Sequence, residues 1–297
     1  HMSVHQRIAI TGASGLIGTA LVGHLKAEGH TVQRLVRRAP VGADEVQWDP
    51  QTGFVDLEPL RGVDAVIHLA GVGVGDKRWN KKYKSEILNS RLLGTTAIAN
   101  AVTELKPQVF ISASAIGWYG ESGNRAVVET DRVGDDFLAA VCREWEAAAD
   151  LAQDVRTVKI RTGLVLDPTG GALGKMLPLF RLGLGGKLGN GKQWWSWITL
   201  HDQIRAIVFA LENPISGPVN LTAPNPVTNQ EFTAALARAM HRPALFPAPA
   251  IALKIALGGF SSEVLGSKKV IPHVLQEAGF TWDYPHISEA LSALIED

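Results

Sequence analysis

The chain of 297 residues has one cysteine, Cys142, so neither an internal disulfide nor a thiolate metal cluster is open to it. It has no excess of charge. Its 29 basic side chains are matched by 29 acidic ones, and no whole-protein field draws it to nucleic acid or to an anionic membrane. No apolar run approaches the roughly 18 residues of a spanning helix, and no long apolar segment of the secretory kind follows the polar start. The His-Glu-x-x-His pair of zinc enzymes, the Gly-x-Ser-x-Gly elbow and the P-loop lysine are all missing. These absences point away from secreted, membrane, metal-dependent and nucleic-acid roles. They are compatible with a cytoplasmic protein, expected as a monomer or homodimer. What is present suits that reading: 46% hydrophobic against 20% charged residues, over this length, bury a large core.

The first half alternates short apolar runs with longer amphipathic stretches. Arg7 to Ile10, Thr31 to Val36, Asp64 to Ala70, Val109 to Ser112 and Arg156 to Leu166 read as strands. Leu16 to Glu28, Lys81 to Leu105 and Phe137 to Ala152 read as helices. The alternation predicts an α/β fold, a Rossmann-type doubly wound parallel sheet with a smaller C-terminal substrate lobe. Residues 3–165 are assigned to the nucleotide-binding domain, with strands near Trp197 and Val219 returning to it. The substrate-binding lobe takes 166–191 and 228–285, and a C-terminal helix takes 286–297.

Between the first strand and the first helix lies Thr11-Gly12-Ala13-Ser14-Gly15-Leu16-Ile17-Gly18. Glycines there permit a tight turn and close approach of a pyrophosphate to the amide groups that open the helix. An ordinary strand-to-helix turn, or a flavin or smaller nucleotide site, would use the same residues. The acidic residue that grips the adenosine ribose of NAD should follow about 20 residues on. The chain has Val36-Arg37-Arg38 instead, and arginine pairs bidentately with phosphate. Arg37 and Arg38 therefore predict NADP(H) rather than NAD(H), unless they are simply solvated at a strand end.

These residues, with His68-Leu69-Ala70-Gly71, Gly94-Thr95 and Ser112-Ala113-Ser114-Ala115 ahead of Tyr119-Gly120, resemble the extended short-chain dehydrogenase/reductase superfamily. Phe137-Leu138-Ala139 with Trp145-Glu146, Gly170 to Leu173, Phe180 to Gly186, Trp194 to Asp202, Lys269 to Pro272 and Ala278-Gly279-Phe280 are similar to one atypical branch of it. That branch is the sugar-nucleotide-epimerase-like epimerase family proteins of the NAD-dependent epimerase/dehydratase family. The resemblance implies an NADP(H)-dependent oxidoreductase or epimerase-like enzyme acting on a small carbonyl or sugar-like substrate. It also implies that Leu69, Ala70, Glu86, Arg91 and Val165 join the cofactor site, and that Trp194, Trp195 and Lys187 line the substrate side.

The departure lies in the chemistry. The superfamily's usual acid–base pair is Tyr-x-x-x-Lys. Here Tyr83, Tyr119 and Tyr284 are followed four residues later by Ile87, Gly123 and Ser288, and the resemblance aligns Leu138 and Cys142 with the missing pair. Ser114 is expected to hydrogen-bond the reacting carbonyl, and Tyr119 is the nearest replacement acid. Each candidate has a plainer role open to it: a strand-end serine bonded to backbone, a packed wall tyrosine, core indoles, a solvated helix face for Glu86 and Arg91. His68 reads as a satisfied core histidine. A sensor that binds NADP(H) without turning it over is the alternative to an enzyme.

Overall fold

The structure is a computed structural model that describes residues 4–71 and 73–295; residue 3 and residues 296–297, at the ends of the expected segments, lie outside it. Eight strands form the main sheet: β1 (Arg7–Thr11), β2 (Thr31–Val36), β3 (Glu45–Asp49), β4 (Phe54–Val55), β5 (Ala65–His68), β6 (Val109–Ala115), β7 (Arg156–Thr162) and β8 (Gly217–Leu221). Their order is β8-β7-β6-β5-β1-β2-β3-β4. Every neighbouring pair is parallel except β3 with β4. The chain winds outward in one direction from β1 through β2, and in the other from β5 through β6. The crevice where ligands bind in such sheets therefore opens at the carboxyl ends of β1 and β5. This is the Rossmann-like doubly wound fold that the alternation predicts.

The strands are buried on both faces, and their residues alternate between two apolar layers. Ile8, Ile10, Ile67, Val109 and Ile111 pack with Leu21 and Leu25 of α1 (Leu16–Ala27). Ala9, Val66 and Phe110 pack on the other face with Ile98 and Val102 of α2 (Lys81–Leu105). The Asn80 side chain accepts a bond from the Tyr83 amide and opens α2, and Asp136 does the same for α3 (Phe137–Ala149) through Ala139. A separate apolar cluster joins Leu173, Leu177 and Phe180 of α4 (Gly171–Arg181) to Phe232 and Leu236 of α6 (Asn229–Met240) and to Trp195 and Trp197. Between α4 and α6 in the chain runs α5 (Leu200–Glu212), which packs on the α1 side. After α6 come α7 (Ala250–Leu257) and the short α8 (Ser261–Leu265).

Two details differ from the sequence reading. The strand expected from Arg156 to Leu166 breaks at Gly163, where a Cβ would stand 2.6 Å from the Ser196 carbonyl oxygen. Leu164–Leu166 then pairs with Trp197–Thr199 outside the main sheet. So Gly217–Leu221 is the outermost strand of that sheet at one edge, but the strand at Trp197 is not part of it. The segment Glu45–Asp49 was not foreseen as a strand, because charged ends hide the alternation of buried Val46 and Trp48.

Candidate functional site

At the carboxyl end of β1 the glycine turn is shaped by close backbone contacts. Gly12 has a φ of +69°, and a Cβ on it would lie 2.8 Å from the Leu69 carbonyl carbon. A Cβ on Gly18 would lie 2.0 Å from the Gly12 oxygen. Both positions must be glycine for the turn itself to form. Gly15 differs: a Cβ there would meet only the Gly12 oxygen, at an ordinary 3.6 Å. Gly15 is the N-cap of α1 and no side chain caps the helix, so the opening amides of Leu16, Ile17 and Gly18 lack an internal side-chain acceptor and favour an anion. Ala13 is half-buried, while Ser14 and Gly15 are exposed at the crest.

Thr11 ties this turn to the end of β5. Its buried hydroxyl accepts from the Leu69 and Ala70 amides at 3.0 and 3.2 Å and meets His68 Nδ1 at 2.7 Å. With both lone pairs in use the hydroxyl donates to Nδ1, so Nε2 carries the proton and donates to Thr95 Oγ1 at 3.0 Å. Burial, with the Arg91 cation second, pulls the His68 pKa down to about 3. His68 is a neutral core histidine.

The two arginines after β2 diverge. Arg38 is held by Glu45, with bonds of 2.8 and 2.5 Å to its two carboxylate oxygens. Those bonds, with a further one from the Val41 amide, bring the Glu45 carboxyl down to about 2. Arg37 is exposed and, among the described residues, enters no ion pair. On α2, Glu86 is half-exposed, whereas Arg91 is buried with its guanidinium 4.7 Å from the Trp145 ring centre and against Gly71. Val165 lies on the short strand beside Ile198, and its carbonyl meets the Gly170-Gly171 turn that in turn touches Leu16.

The expected chemical end of the crevice is occupied by the protein's own contacts. Ser114, 3% exposed, donates to Glu146 Oε2 at 2.6 Å. Glu146 is gripped by Arg161 through Nε at 2.8 Å and Nη2 at 3.0 Å. The Tyr119 hydroxyl donates to Asn220 Oδ1 at 2.6 Å and receives Arg161 Nη1 at 3.0 Å. Burial raises the Tyr119 phenol to about 12 and the Cys142 thiol to about 12. The two hydroxyls expected at the substrate are thus both engaged, Ser114 with the Glu146–Arg161 ion pair and Tyr119 with Asn220 and Arg161. Arg161 forms a structural ion pair with Glu146 across β7 and α3, a partnership that no local motif displays.

The three substrate-side residues also separate. Trp195 belongs to the second apolar cluster, edge-on to Phe232 at 5.2 Å with its indole N–H on the Val264 carbonyl; burial removes it from a ligand-facing role. Trp194 is half-buried under the Lys269 ammonium at 4.3 Å and donates to Asn124. Lys187 is half-exposed and packs along Gly191.

The sequence profile of the NAD dependent epimerase/dehydratase family matches residues 8–222, and that of a domain of unknown function, DUF1731, matches residues 248–294. An epimerase family protein of Mycobacterium bovis is 46% identical over 288 residues, 96% of either chain. A chloroplastic epimerase family protein of Arabidopsis thaliana is 38% identical, over 97% of this chain and 86% of its own. The crystal structure of a human epimerase family protein with NADPH superposes with a TM-score of 0.90 at 34% identity, covering 98% of this chain and 99% of that one.

Proposed function

The chain belongs to the NAD dependent epimerase/dehydratase family, and from that premise we propose that it binds NADP(H) and transfers hydride to or from a small carbonyl or sugar-like substrate. The observation that carries the cofactor reading is Gly15, a position where the fold leaves room that its own packing does not require. The human relative solved with NADPH supports the choice of cofactor. In this reading the pyrophosphate lies on the amides of Leu16 to Gly18. Arg37 meets the 2′-phosphate, Arg38 stands beside it on Glu45, and Leu69, Ala70 and Val165 line the way to the nicotinamide. When bound, the reduced nicotinamide supplies a hydride. Ser114 and Tyr119 act as positioning residues that hold the ends of β6 and β7 together.

Titration with NADPH and NADH tests the assignment. A charged hydrogen bond contributes about 1.5–3 kcal/mol, so Arg37→Ala should weaken NADPH about tenfold or more and leave NADH unchanged. Arg38→Ala should weaken NADPH less, since Glu45 already holds that guanidinium. Equal losses for the two cofactors would refute the 2′-phosphate reading. A second reading, a protein that senses NADP(H) without turnover, draws on the engagement of Ser114 and Tyr119 in the Arg161 network. Oxidation of bound NADPH by a panel of aldehydes and ketones separates the two: turnover of any compound sinks the sensor.

A further inference from the structure

Charge is balanced over the whole chain but not along it. Residues 168–201 and 232–262 hold seven lysines and arginines and no aspartate or glutamate, and the rest of the chain is correspondingly acidic. The same two stretches hold seven of the twelve large apolar side chains that are exposed among the described residues. We propose that this face, built from the ends of α4 and α6 and from α7, is a docking surface for an anionic lipid bilayer.

Backbone contacts gather these side chains. α4 ends on a left-handed Gly183, at a φ of +72°, with the Leu184 amide donating to the Leu179 carbonyl at 2.9 Å. That closing turn brings Leu184 back beside Leu179, next to Leu182. Arg242 Nε, just past α6, donates to the Arg181 carbonyl at 3.3 Å. The Phe246 amide donates to the Gly185 carbonyl at 3.1 Å, and the Ala248 amide to the Lys187 carbonyl at 2.9 Å. Leu245 and Phe246 are thereby laid along the segment that leaves α4, and α7 follows directly. These five apolar side chains are 47% to 75% exposed. Seven of the eight residues of α7 are apolar, and none is buried. A helix that is apolar all round belongs in a core or in lipid. Leu253 and Leu257 are half-buried against the protein. Ile251 and Ile255, about 200° round the helix from them, are 72% and 68% exposed. Arg78 Nη1 donates to the Ile255 carbonyl at 2.6 Å and anchors this end of the helix.

The charges single out the occupant. Lys175, Arg181, Arg238, Arg242 and Lys254 stand exposed on the same elements as the apolar side chains. None of them enters an ion pair among the described residues. A second copy of the chain would set one acid-free face against another, and like charges repel. Contacts between proteins are depleted in lysine and anchored by tryptophan, tyrosine and arginine, whereas the apolar side chains here are aliphatic except for Phe246. Leucine and isoleucine entering the acyl boundary, with lysine and arginine heads kept among the phosphates, are the match for an anionic bilayer. No helix among the described residues is long and apolar enough to cross a membrane, so the contact is with the membrane surface.

Sedimentation of the full chain with lipid vesicles is the test. Vesicles of phosphatidylcholine with about a third phosphatidylglycerol should carry the protein down, and pure phosphatidylcholine should bind it at least about tenfold less. Ile251→Asp with Ile255→Asp should weaken binding at least about a hundredfold and leave the melting temperature unchanged, because both side chains already face water. Arg181→Glu with Lys254→Glu should weaken it about twentyfold or more, at about fivefold for each cation. A fluorescent label reads the contact with the isoleucines intact. Cys142 is the one cysteine and is buried, so an environment-sensitive dye on Ala252→Cys, an exposed position of α7, reacts there alone. Its emission should shift to the blue on anionic vesicles, and the same dye on Leu151→Cys, exposed outside this face, should not shift. Absence of binding to the anionic vesicles overturns the proposal and leaves the face to an acidic protein. Equal binding to neutral vesicles, or an unshifted dye at position 252, overturns it as well. A dimer in solution that Ile255→Asp dissolves would assign the face to a second copy and overturn it too.

Discussion

The two ends of the crevice are built from different material. At the end of β1 the site is backbone: a left-handed Gly12, a Gly18 with no room for a Cβ, and the unengaged amides of a helix start. At the end of β6 it is side chain, and Ser114 and Tyr119 are already bonded to Glu146, Arg161 and Asn220. Backbone sites keep their function wherever the glycines stand. Side-chain sites keep theirs only if nothing else buried nearby claims the same atoms. The second end also lacks the tyrosine–lysine pair, with Leu138 and Cys142 in its place, and only the first end leaves its backbone groups unengaged.

The sharpest break in that comparison is the ion pair. Arg161 and Glu146 are 2% and 4% exposed, and removing one partner of a buried pair leaves the other charged and unpaired, at about 3–5 kcal/mol. Arg161→Met and Glu146→Gln should each lower stability to urea by that order. The double variant should lose much less than the sum, because no lone charge remains. A loss below about 1 kcal/mol for Arg161→Met would mean that water reaches the pair, and Ser114 would then be open to substrate after all.

The limits of the sequence follow the same line. The alternation of strand and helix, the span of α2 and the glycine turn are local or periodic features, and the sequence displays each of them. The bonds of Ser114 to Glu146 and of Tyr119 to Asn220 join residues 32 and 101 positions apart, and residue type alone does not announce them. Trp195 shows the same failing: the indole resembles a cleft wall until Phe232 is seen against it.

A smaller effect tests the backbone end from within. Gly15→Ala has space for its methyl group in the apo fold, 3.6 Å from the Gly12 oxygen, so the melting temperature should hold. The same methyl group projects where a phosphate must approach the amides, and NADPH affinity should fall about tenfold to a hundredfold, or roughly 1.4–2.8 kcal/mol. Gly18→Ala should lose both binding and stability, since its Cβ meets the Gly12 oxygen at 2.0 Å. If Gly15→Ala unfolds the protein as Gly18→Ala does, the open space at Gly15 has a structural purpose and ceases to indicate a ligand.

The smallest effect concerns His68, the ring behind the Thr11 hydroxyl at the backbone end. His68 is neutral between Thr11 and Thr95, and its folded pKa of about 3 lies below the unfolded value of about 6.5. The unfolded chain therefore binds the extra proton first. The contribution of His68 is complete above the unfolded pKa and is lost as pH falls toward the folded one. From pH 6.5 to 5.5 the wild type should lose about 1 kcal/mol to this group, a loss that His68→Gln, which cannot titrate, should not show in urea unfolding at the two pH values. Equal slopes for the two proteins would mean that His68 can take up a proton while folded. The Thr11 hydroxyl would then no longer need to donate to Nδ1, and the link that holds the glycine turn to the end of β5 would be looser than its distances indicate.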